Sequence, residues 1–371
     1  MRIVDIQHRL QALGAKPVHQ QRVLRHWTHA LPQVLPPQQN KRQPEHWLPK
    51  AVLDDLPALD ADLAALLRLQ SRHPAADGSE RLLLALADGQ TVEAVLLQPG
   101  KVAGLCVSSQ VGCAVGCQFC MTGVGGLLRQ LGSAEIVAQV ALARQLRPVH
   151  KVVFMGMGEP AHNLDNVMEA ITLLGTVGQI GHKNLVFSTV GDPRAFTHLQ
   201  ALGKGDVRPA LALSLHTSDA ALRERLLPRA PRLTPAELVD QADAYARASG
   251  YPVQYQWTLL AGVNDGDDEL AGIERLLAGR FGVLNLIPWN TVDGMPFQRP
   301  SWERAAAMAR HLHRRGILTK LRHSAGQDVE GGCGQLRARA ASATSVADGV
   351  VVAAPTPRRL KALAETPAAG G

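Results

Sequence analysis

The spacing of hydrophobic positions changes along the chain and divides it into regions. Near the start, Leu10, Leu24 and Trp27 belong to an apolar series with roughly helical spacing, which prolines from Pro32 onward interrupt. A second helical pattern covers residues 51–69. We therefore predict a small helical domain over residues 1–75.

The pattern becomes strand-like at residue 81. Residues 81–87 and 91–97 flank the turn Asp88-Gly89 and predict a hairpin, so residues 76–100 are assigned to a β-hairpin linker. Beyond it, short apolar runs alternate with amphipathic helical patterns. The runs are 151–155, 184–189, 209–215, 253–259, 283–287 and 317–321, and the helices are 133–146, 163–175, 193–202, 234–249, 267–280 and 301–315.

Repeated strand–helix units predict an α/β fold with a parallel sheet. Six units are too few for a closed eight-unit barrel, so we expect a partial, open (β/α)6-type barrel over residues 101–337. In such a barrel the active residues lie at the carboxyl ends of the strands. Residues 338–371, rich in Ala, Ser, Thr and Pro, are predicted to form a flexible tail.

Composition and charge narrow the class of protein. Of the 371 residues, 46% are hydrophobic, which excludes a mostly disordered chain. Five cysteines are too few for a disulfide-stapled scaffold. The formal net charge of +7 favours polyanionic partners. Residues 6–44 carry six Lys or Arg and no acidic residue. Two interpretations of this region are equally open: a nucleic-acid-binding patch and an ordinary solvated helix face.

No segment of the sequence predicts membrane insertion or export. The first 15 residues contain charged side chains and no apolar core, unlike a signal peptide. The long uncharged run at residues 102–128 contains six glycines and is a poor membrane span. We expect a soluble cytoplasmic protein.

Three cysteines form the pattern C-x3-C-x2-C at Cys113, Cys117 and Cys120. Thiolates this close can converge on one metal site if the backbone curls, and Gly112 and Gly116 permit unusual backbone angles. The site could hold zinc with an open or distant fourth ligand, or a 4Fe–4S cluster with one iron free to bind a small molecule. Three ordinary buried cysteines are the alternative without a metal.

At this point the sequence resembles a known family. A C-x3-C-x2-C motif after a first strand is the signature of radical S-adenosylmethionine (SAM) enzymes. The wider string from Cys106 to Cys113 is similar to that of RNA adenine methyltransferases of the RlmN/Cfr type, and the resemblance extends from about Asp88 to Leu336. The other matching motifs are Gly-Met-Gly-Glu-Pro at 156–160, Ser-Leu-His at 214–216, Gly-Val-Asn-Asp at 262–265, Asn-Leu-Ile-Pro-Trp-Asn at 285–290 and Cys-Gly-Gln-Leu at 333–336.

The resemblance implies a radical-SAM barrel with a cluster and a SAM site. Cys113, Cys117 and Cys120 would hold one 4Fe–4S cluster per chain, and SAM would bind the open iron. Two SAM molecules would be consumed in each turnover. The residues that match SAM contacts of the family are Gly158, Glu159, Ser188, Ser214, Leu215, His216 and Asn290. From the residues alone, His216 would be a core histidine and Glu159 could be a helix-capping carboxylate.

The resemblance also assigns three catalytic residues. Cys333 would be methylated by one SAM, and a radical generated from a second SAM would activate that methyl group for addition to an adenine carbon. Glu93 would remove the adenine proton, and burial in its uncharged strand would suit it as a base. Cys106 would release the product through a transient disulfide with Cys333. Without the family, Cys106 would be a buried strand cysteine, and for Glu93 a buried carboxylate and an edge-strand carboxylate facing water are equally open.

The implied substrate is RNA. Carbon 2 of an adenine in 23S rRNA, with tRNA as a second substrate, is the first expectation, and a reducing electron donor and a monomeric chain are expected with it. Basic residues at 299–339 and in the N-terminal region would contact phosphates. Segments that depart from the family's pattern, such as residues 161–163, keep carbon 8 or another RNA open. A non-catalytic, metal-containing RNA-binding protein is the alternative of another class.

Overall fold

The N-terminal region of the computed structural model is helical, as predicted. Residues 1–33, 48–98, 103–292 and 294–338 are described by the structure. Helices α1 (Ile3–Ala12), α2 (Pro17–Thr28) and α3 (Lys50–Ala65) come first. Proline begins α2 because its fixed φ suits the first helical turn, where its missing N–H is not needed. The buried faces of the three helices join the same hydrophobic core as the rest of the fold.

A single sheet of ten strands organises the described part of the chain. Its order is β1-β2-β3-β4-β7-β8-β9-β10-β11-β12. Strands β1 to β4 pair antiparallel, and every pairing from β4 through β12 is parallel. The strands of this sheet are β1 (Leu67–Pro74), β2 (Glu80–Leu86), β3 (Thr91–Leu96), β4 (Gly104–Cys106), β7 (Lys151–Phe154), β8 (Leu185–Thr189), β9 (Ala210–Ser214), β10 (Val253–Leu259), β11 (Gly282–Pro288) and β12 (Thr319–Leu321).

A second, two-stranded ribbon pairs β5 (Gln110–Gly112) with β6 (Leu127–Gln130) and encloses the cysteine motif between its strands. Helices alternate with the parallel strands. They are α4 (Ser133–Leu146), α5 (Leu164–Gly175), α6 (Pro193–Ala201), α7 (Ala220–Leu226), α8 (Pro235–Ser249), α9 (Asp267–Leu277) and α10 (Trp302–Arg314). Local chemistry fixes several of their ends: Asp192 and Ser301 cap α6 and α10 with their side chains, and Gly250 ends α8 in the left-handed conformation.

The α/β class, the partial barrel and the N-terminal helices are confirmed. The N-terminal helices pack on the barrel's outer helices, where the N–H of Ile3 donates to Ser133 Oγ at 2.8 Å. No helix in the described ranges has the length and apolar character needed to cross a membrane. The predicted tail, apart from Ala338, lies outside the described residues.

Two elements differ from the sequence prediction. The helix predicted over 51–69 ends at Ala65, and β1 begins at Leu67. Strand β1 pairs with β2, and its side chains alternate between more and less buried. This alternation is short and directly follows the apolar helical pattern of α3, so the sequence did not reveal where the helix ends. Helix α7 was not predicted.

Candidate active site

The cysteine motif lies on a tight loop between β5 and β6. Gly112 has φ +78°, and a Cβ there would lie 2.0 Å from the carbonyl oxygen of Gly126, so only glycine fits. The N–H of Cys113 donates to that same oxygen at 2.9 Å, and the N–H of Cys120 donates to the Cys117 carbonyl at 3.1 Å. The loop therefore curls, as the glycines predicted, and Cys113, Cys117 and Cys120 all line one cavity of about 150 Å³.

The three thiols are held in apolar surroundings. Burial raises the pKa of Cys113 to about 12 and also raises the pKa of Cys117 and Cys120. Metal binding therefore has to displace protons, as it does at any thiolate site. In the described ranges, no three His, Cys, Asp or Glu side chains converge closely enough to bind a single metal ion. Separate thiols around one cavity are compatible with a 4Fe–4S cluster, because each thiolate of a cluster binds a different iron.

Gly158 and Glu159 form one wall of the same small cavity. Gly158 has φ +109°, and a Cβ there would lie 2.7 Å from the Gln110 side chain. The Glu159 carboxylate accepts hydrogen bonds from the N–H groups of Ala161 (3.0 Å) and Val190 (2.9 Å). Burial raises the pKa of Glu159 to about 7. A carboxylate held in a cavity in this way is suited to pair with an ammonium group.

His216 lies opposite the cysteine loop in a strained backbone conformation, with φ +64°. Its Nδ1 accepts a hydrogen bond from the N–H of Thr258 at 3.1 Å, which leaves the ring proton on Nε2. Burial lowers the pKa of His216 to about 3, so the ring is neutral at physiological pH. Its ring meets that of Phe119, which lies between Cys117 and Cys120, in an edge-to-face arrangement. His216 can thus donate one hydrogen bond without adding charge.

Five of the seven residues matched to SAM contacts line the small cavity: Gly158, Glu159, Ser188, Ser214 and His216. Leu215 is fully buried beside them and does not line it. Asn290 does not line it either. Its Nδ2 donates to the Cys333 carbonyl and to Ser324 Oγ, both at 2.9 Å, while its Oδ1 is buried with no partner in the described structure.

Arg223 on α7 is a residue of this site that the sequence did not reveal. Its side chain is buried, and Nη2 donates to the carbonyl of Ser214 at 3.1 Å and to that of Val190. Burial lowers its pKa to about 10, while Cys117 and Glu159 favour its charged form. Arg223 thus joins the ends of two strands that line the cavity and places a positive charge behind the cysteine motif.

A second, larger cavity of about 790 Å³ adjoins the first, and Cys106, Cys120 and Cys333 all line it. Cys120 and Cys333 line both cavities. Burial, with a smaller contribution from Cys333, raises the pKa of Cys106 to about 12. Cys333 itself is exposed to the cavity, and all five cysteines are free thiols. Its loop is tied to the cysteine motif, since the N–H of Met121 donates to the Gly334 carbonyl at 2.8 Å.

Glu93 is buried in β3, with 1% of its surface exposed, and does not face water. Its carboxylate forms an ion pair with Arg81 and accepts hydrogen bonds from the N–H groups of Arg337 (2.8 Å) and Ala338 (3.1 Å). Glu93 does not itself line the large cavity. Val95, which lies two residues further along the same strand, lines the cavity and pairs with Cys106. Arg81, which holds Glu93, was not singled out from the sequence.

Comparison with known proteins identifies the class of this site. Residues 107–272 match the Radical SAM superfamily. A protein of Methylibium petroleiphilum named "Probable RNA methyltransferase" is 70% identical over 92% of this chain and 94% of its own length. A protein of Thiobacillus denitrificans with the same name is 60% identical over 100% of this chain and 97% of its own length.

A solved structure is also similar. The radical SAM methyltransferase from Sphaerobacter thermophilus is 33% identical, with a TM-score of 0.76, and the match covers 91% of this chain and 98% of that one. The chain therefore belongs to the radical SAM superfamily and, within it, to the family of methyltransferases that these relatives form.

Proposed function

We propose that this enzyme methylates carbon 2 of an adenine in RNA, with 23S rRNA as the substrate and tRNA as a second one. The observation that carries the proposal is the large cavity, which Cys106, Cys333 and Cys120 line together. A thiol relay needs its two cysteines to face the same space as the base, and this cavity provides that space. The names of the relatives and the net charge of +7 support RNA as the substrate.

The residues present fit a 4Fe–4S cluster on Cys113, Cys117 and Cys120 and a SAM molecule in the small cavity. When bound, these groups would supply the methyl group and the radical chemistry. Glu159 would pair with the SAM ammonium, and neutral His216 would donate a hydrogen bond from Nε2. Arg223 would hold the strand ends that carry Ser188 and Ser214.

In the large cavity, Cys333 would carry the methyl carbon to the base. Glu93, which forms an ion pair with Arg81, would accept the proton that leaves the adenine carbon. The Cys106 thiol would then lose its proton, and its sulfur would form a bond with the sulfur of Cys333 as the bond between Cys333 and the methylene carbon breaks. The electron pair of that broken bond would pass to the methylene carbon, which takes up a proton and becomes the methyl group. This step releases the RNA and leaves a disulfide, which an external dithiol would reduce. The adenine must leave its stack to reach the cavity.

The test uses protein with its cluster reconstituted without oxygen. It is incubated with unmodified 23S rRNA or tRNA, a reductant and SAM carrying a deuterated methyl group, and the nucleosides are analysed by mass spectrometry. Labelled 2-methyladenosine is the expected product. Cys333→Ala should abolish it, and Cys106→Ala should leave RNA covalently attached to Cys333. Ser249→Ala, a similarly small change that lines neither cavity, should have no effect.

Other products would contradict the proposal in specific ways. A label at carbon 8 would keep the thiol relay and overturn the choice of carbon. Cleavage of SAM without any methylated adenosine would overturn the choice of RNA. No SAM cleavage by protein with its full complement of iron would favour a non-catalytic RNA-binding protein.

A further inference from the structure

Two side-chain amides lie next to each other on the wall of the large cavity without a role in the thiol relay. Gln256 on β10 and Asn285 on β11 are direct neighbours in the parallel register. Both line the large cavity, and Gln256 also borders the small one. Asn285 is 3% exposed and Gln256 is 9% exposed. Among the described residues, the Asn285 amide has no hydrogen-bond partner, and Gln256 makes only one weak bond from Nε2 to the Gln254 carbonyl, at 3.3 Å.

The unbonded polar atoms of both amides remain open to the cavity, where water or a ligand can complete their hydrogen bonds. Native proteins satisfy nearly all such groups with protein, water or ligand. Two adjacent amides that face a cavity large enough for a nucleoside are best explained by a ligand that presents both donors and acceptors.

Cations line the same cavity. Lys151 is half-buried and Arg322 is exposed, and neither forms an ion pair within the described structure. Burial lowers the pKa of Lys151, and the nearby charge of Arg322 adds to this effect. Two acids also line the cavity, and each accepts a backbone hydrogen bond: Asp77 from the N–H of Gly326 (3.2 Å) and Asp328 from that of Ala76 (2.9 Å). The cavity thus offers two amides together with two cations that form no ion pair with those acids within the described residues.

We propose that Asn285 and Gln256 recognise the edge of the adenine that carries its N6 amino group and N7, and that Lys151 and Arg322 bind the phosphate of the same nucleotide. An asparagine or glutamine amide pairs bidentately with that edge, because its donor and acceptor match N7 and the amino group. Guanine presents two acceptors there and is disfavoured. This assignment rests on the proposed function and defines the base-specificity site of the enzyme.

The assignment also accounts for the choice of carbon. In adenine, carbon 2 lies across the ring system from the edge formed by N6 and N7. A base held by that edge against β10 and β11 turns carbon 2 away from the amides and towards the rest of the cavity wall, which includes Cys333 and Cys106. The amides would therefore determine both which base is accepted and which carbon meets the thiol.

The first test is a binding measurement that does not depend on methylation. Adenosine 5′-monophosphate and its 7-deaza analogue are titrated into cluster-loaded protein with saturating SAM, which blocks the small cavity, and binding is followed by ligand-observed NMR. We expect Asn285→Ala and the loss of N7 each to weaken binding at least fivefold, and the two effects not to add. Asn184→Ala, an amide variant that lines neither cavity, should match the wild type. Equal binding of both nucleotides by all three proteins would overturn the inference.

The second test measures RNA methylation. Transcripts made with ATP or with 7-deaza-ATP are compared as substrates for the wild type and Asn285→Ala. The variant should lose about 5- to 150-fold in kcat/KM on the ordinary transcript, the range expected for one bidentate base contact. It should be insensitive to 7-deaza substitution. If the wild type methylates both transcripts at the same rate, the assignment is refuted. If the wild type is inactive on every RNA, the proposed function is refuted, and the nucleotide-binding measurement decides the inference.

Discussion

Glu159 makes the stability of the protein depend on pH in a predictable direction. Its pKa is about 7 in the folded chain and 4.5 as an ordinary glutamate. At a pH between these two pKa values, Glu159 has released its proton in the unfolded chain and still holds it in the folded chain. The folded state therefore binds more protons. The contribution of Glu159 to stability is therefore complete below pH 4.5 and is lost as the pH rises through 7.

The magnitude follows from the difference between the two values. One pKa unit corresponds to about 1.4 kcal/mol, so the shift of Glu159 amounts to about 3 kcal/mol of unfolding free energy. This is a large share of the stability of a typical domain. The variant Glu159→Gln keeps the shape of the side chain and removes its titration, so this part of the pH dependence should vanish.

The assay is urea unfolding of the cluster-free protein without SAM, at intervals from pH 4.5 to 8. The stability difference between the wild type and Glu159→Gln should change by about 3 kcal/mol across this range, with the wild type losing stability as the pH rises. Glu224→Gln, an exposed carboxylate variant, should show no such trend. A difference that stays constant with pH would mean that folding does not perturb Glu159, and the argument from burial would fail.

Three further changes probe other parts of the site. Arg81→Met should destabilise the protein by about 3–5 kcal/mol by leaving Glu93 buried without its ion pair, and Glu93→Gln in the same chain should recover much of this loss in a double-mutant cycle of unfolding free energies. Gly158→Ala should cost about 1–3 kcal/mol, because its φ of +109° and the contact with Gln110 both exclude a Cβ, and SAM affinity measured by equilibrium dialysis should fall with it. Cys117→Ala should bind less than a full complement of iron after reconstitution and lose the brown colour, and a full complement in the variant would exclude Cys117 as a ligand.

The parts of the site that were predictable share a local origin. The cysteine motif and its glycines lie within one loop, so their spacing alone indicated how the backbone must turn. Ser188, Ser214 and His216 lie at or just after the ends of predicted strands, and parallel strands bring their carboxyl ends to one edge. The family resemblance singled out these three side chains, and the regular alternation of strand and helix placed them at the edge near the motif, whose cavity they line.

The parts that could not be predicted depend on contacts between distant segments. Arg81 on β2 reaches Glu93 only because the antiparallel hairpin sets their register. Arg223 bonds to carbonyls of two other strand ends, and no periodicity in its short helix indicates them. Asn285 lies in an apolar run, and only its register with Gln256 reveals that the two amides face one cavity together.

The different settings of Cys106 and Cys333 indicate which of them would have to move in the proposed thiol relay. Cys106 belongs to β4, which pairs with β3 on one side and β7 on the other, so its position is fixed by the sheet. Cys333 lies on an irregular segment between glycines, anchored near the thiol by the bond from Asn290 to its carbonyl and by the bond from Met121 to Gly334. A disulfide requires the two sulfurs to approach to about 2 Å, and both thiols are free here. The sheet cannot yield without breaking its ladder, so in the proposed relay the travel from the base to Cys106 falls to Cys333. The hydrogen bonds from Asn290 and Met121 are the contacts that would have to release it.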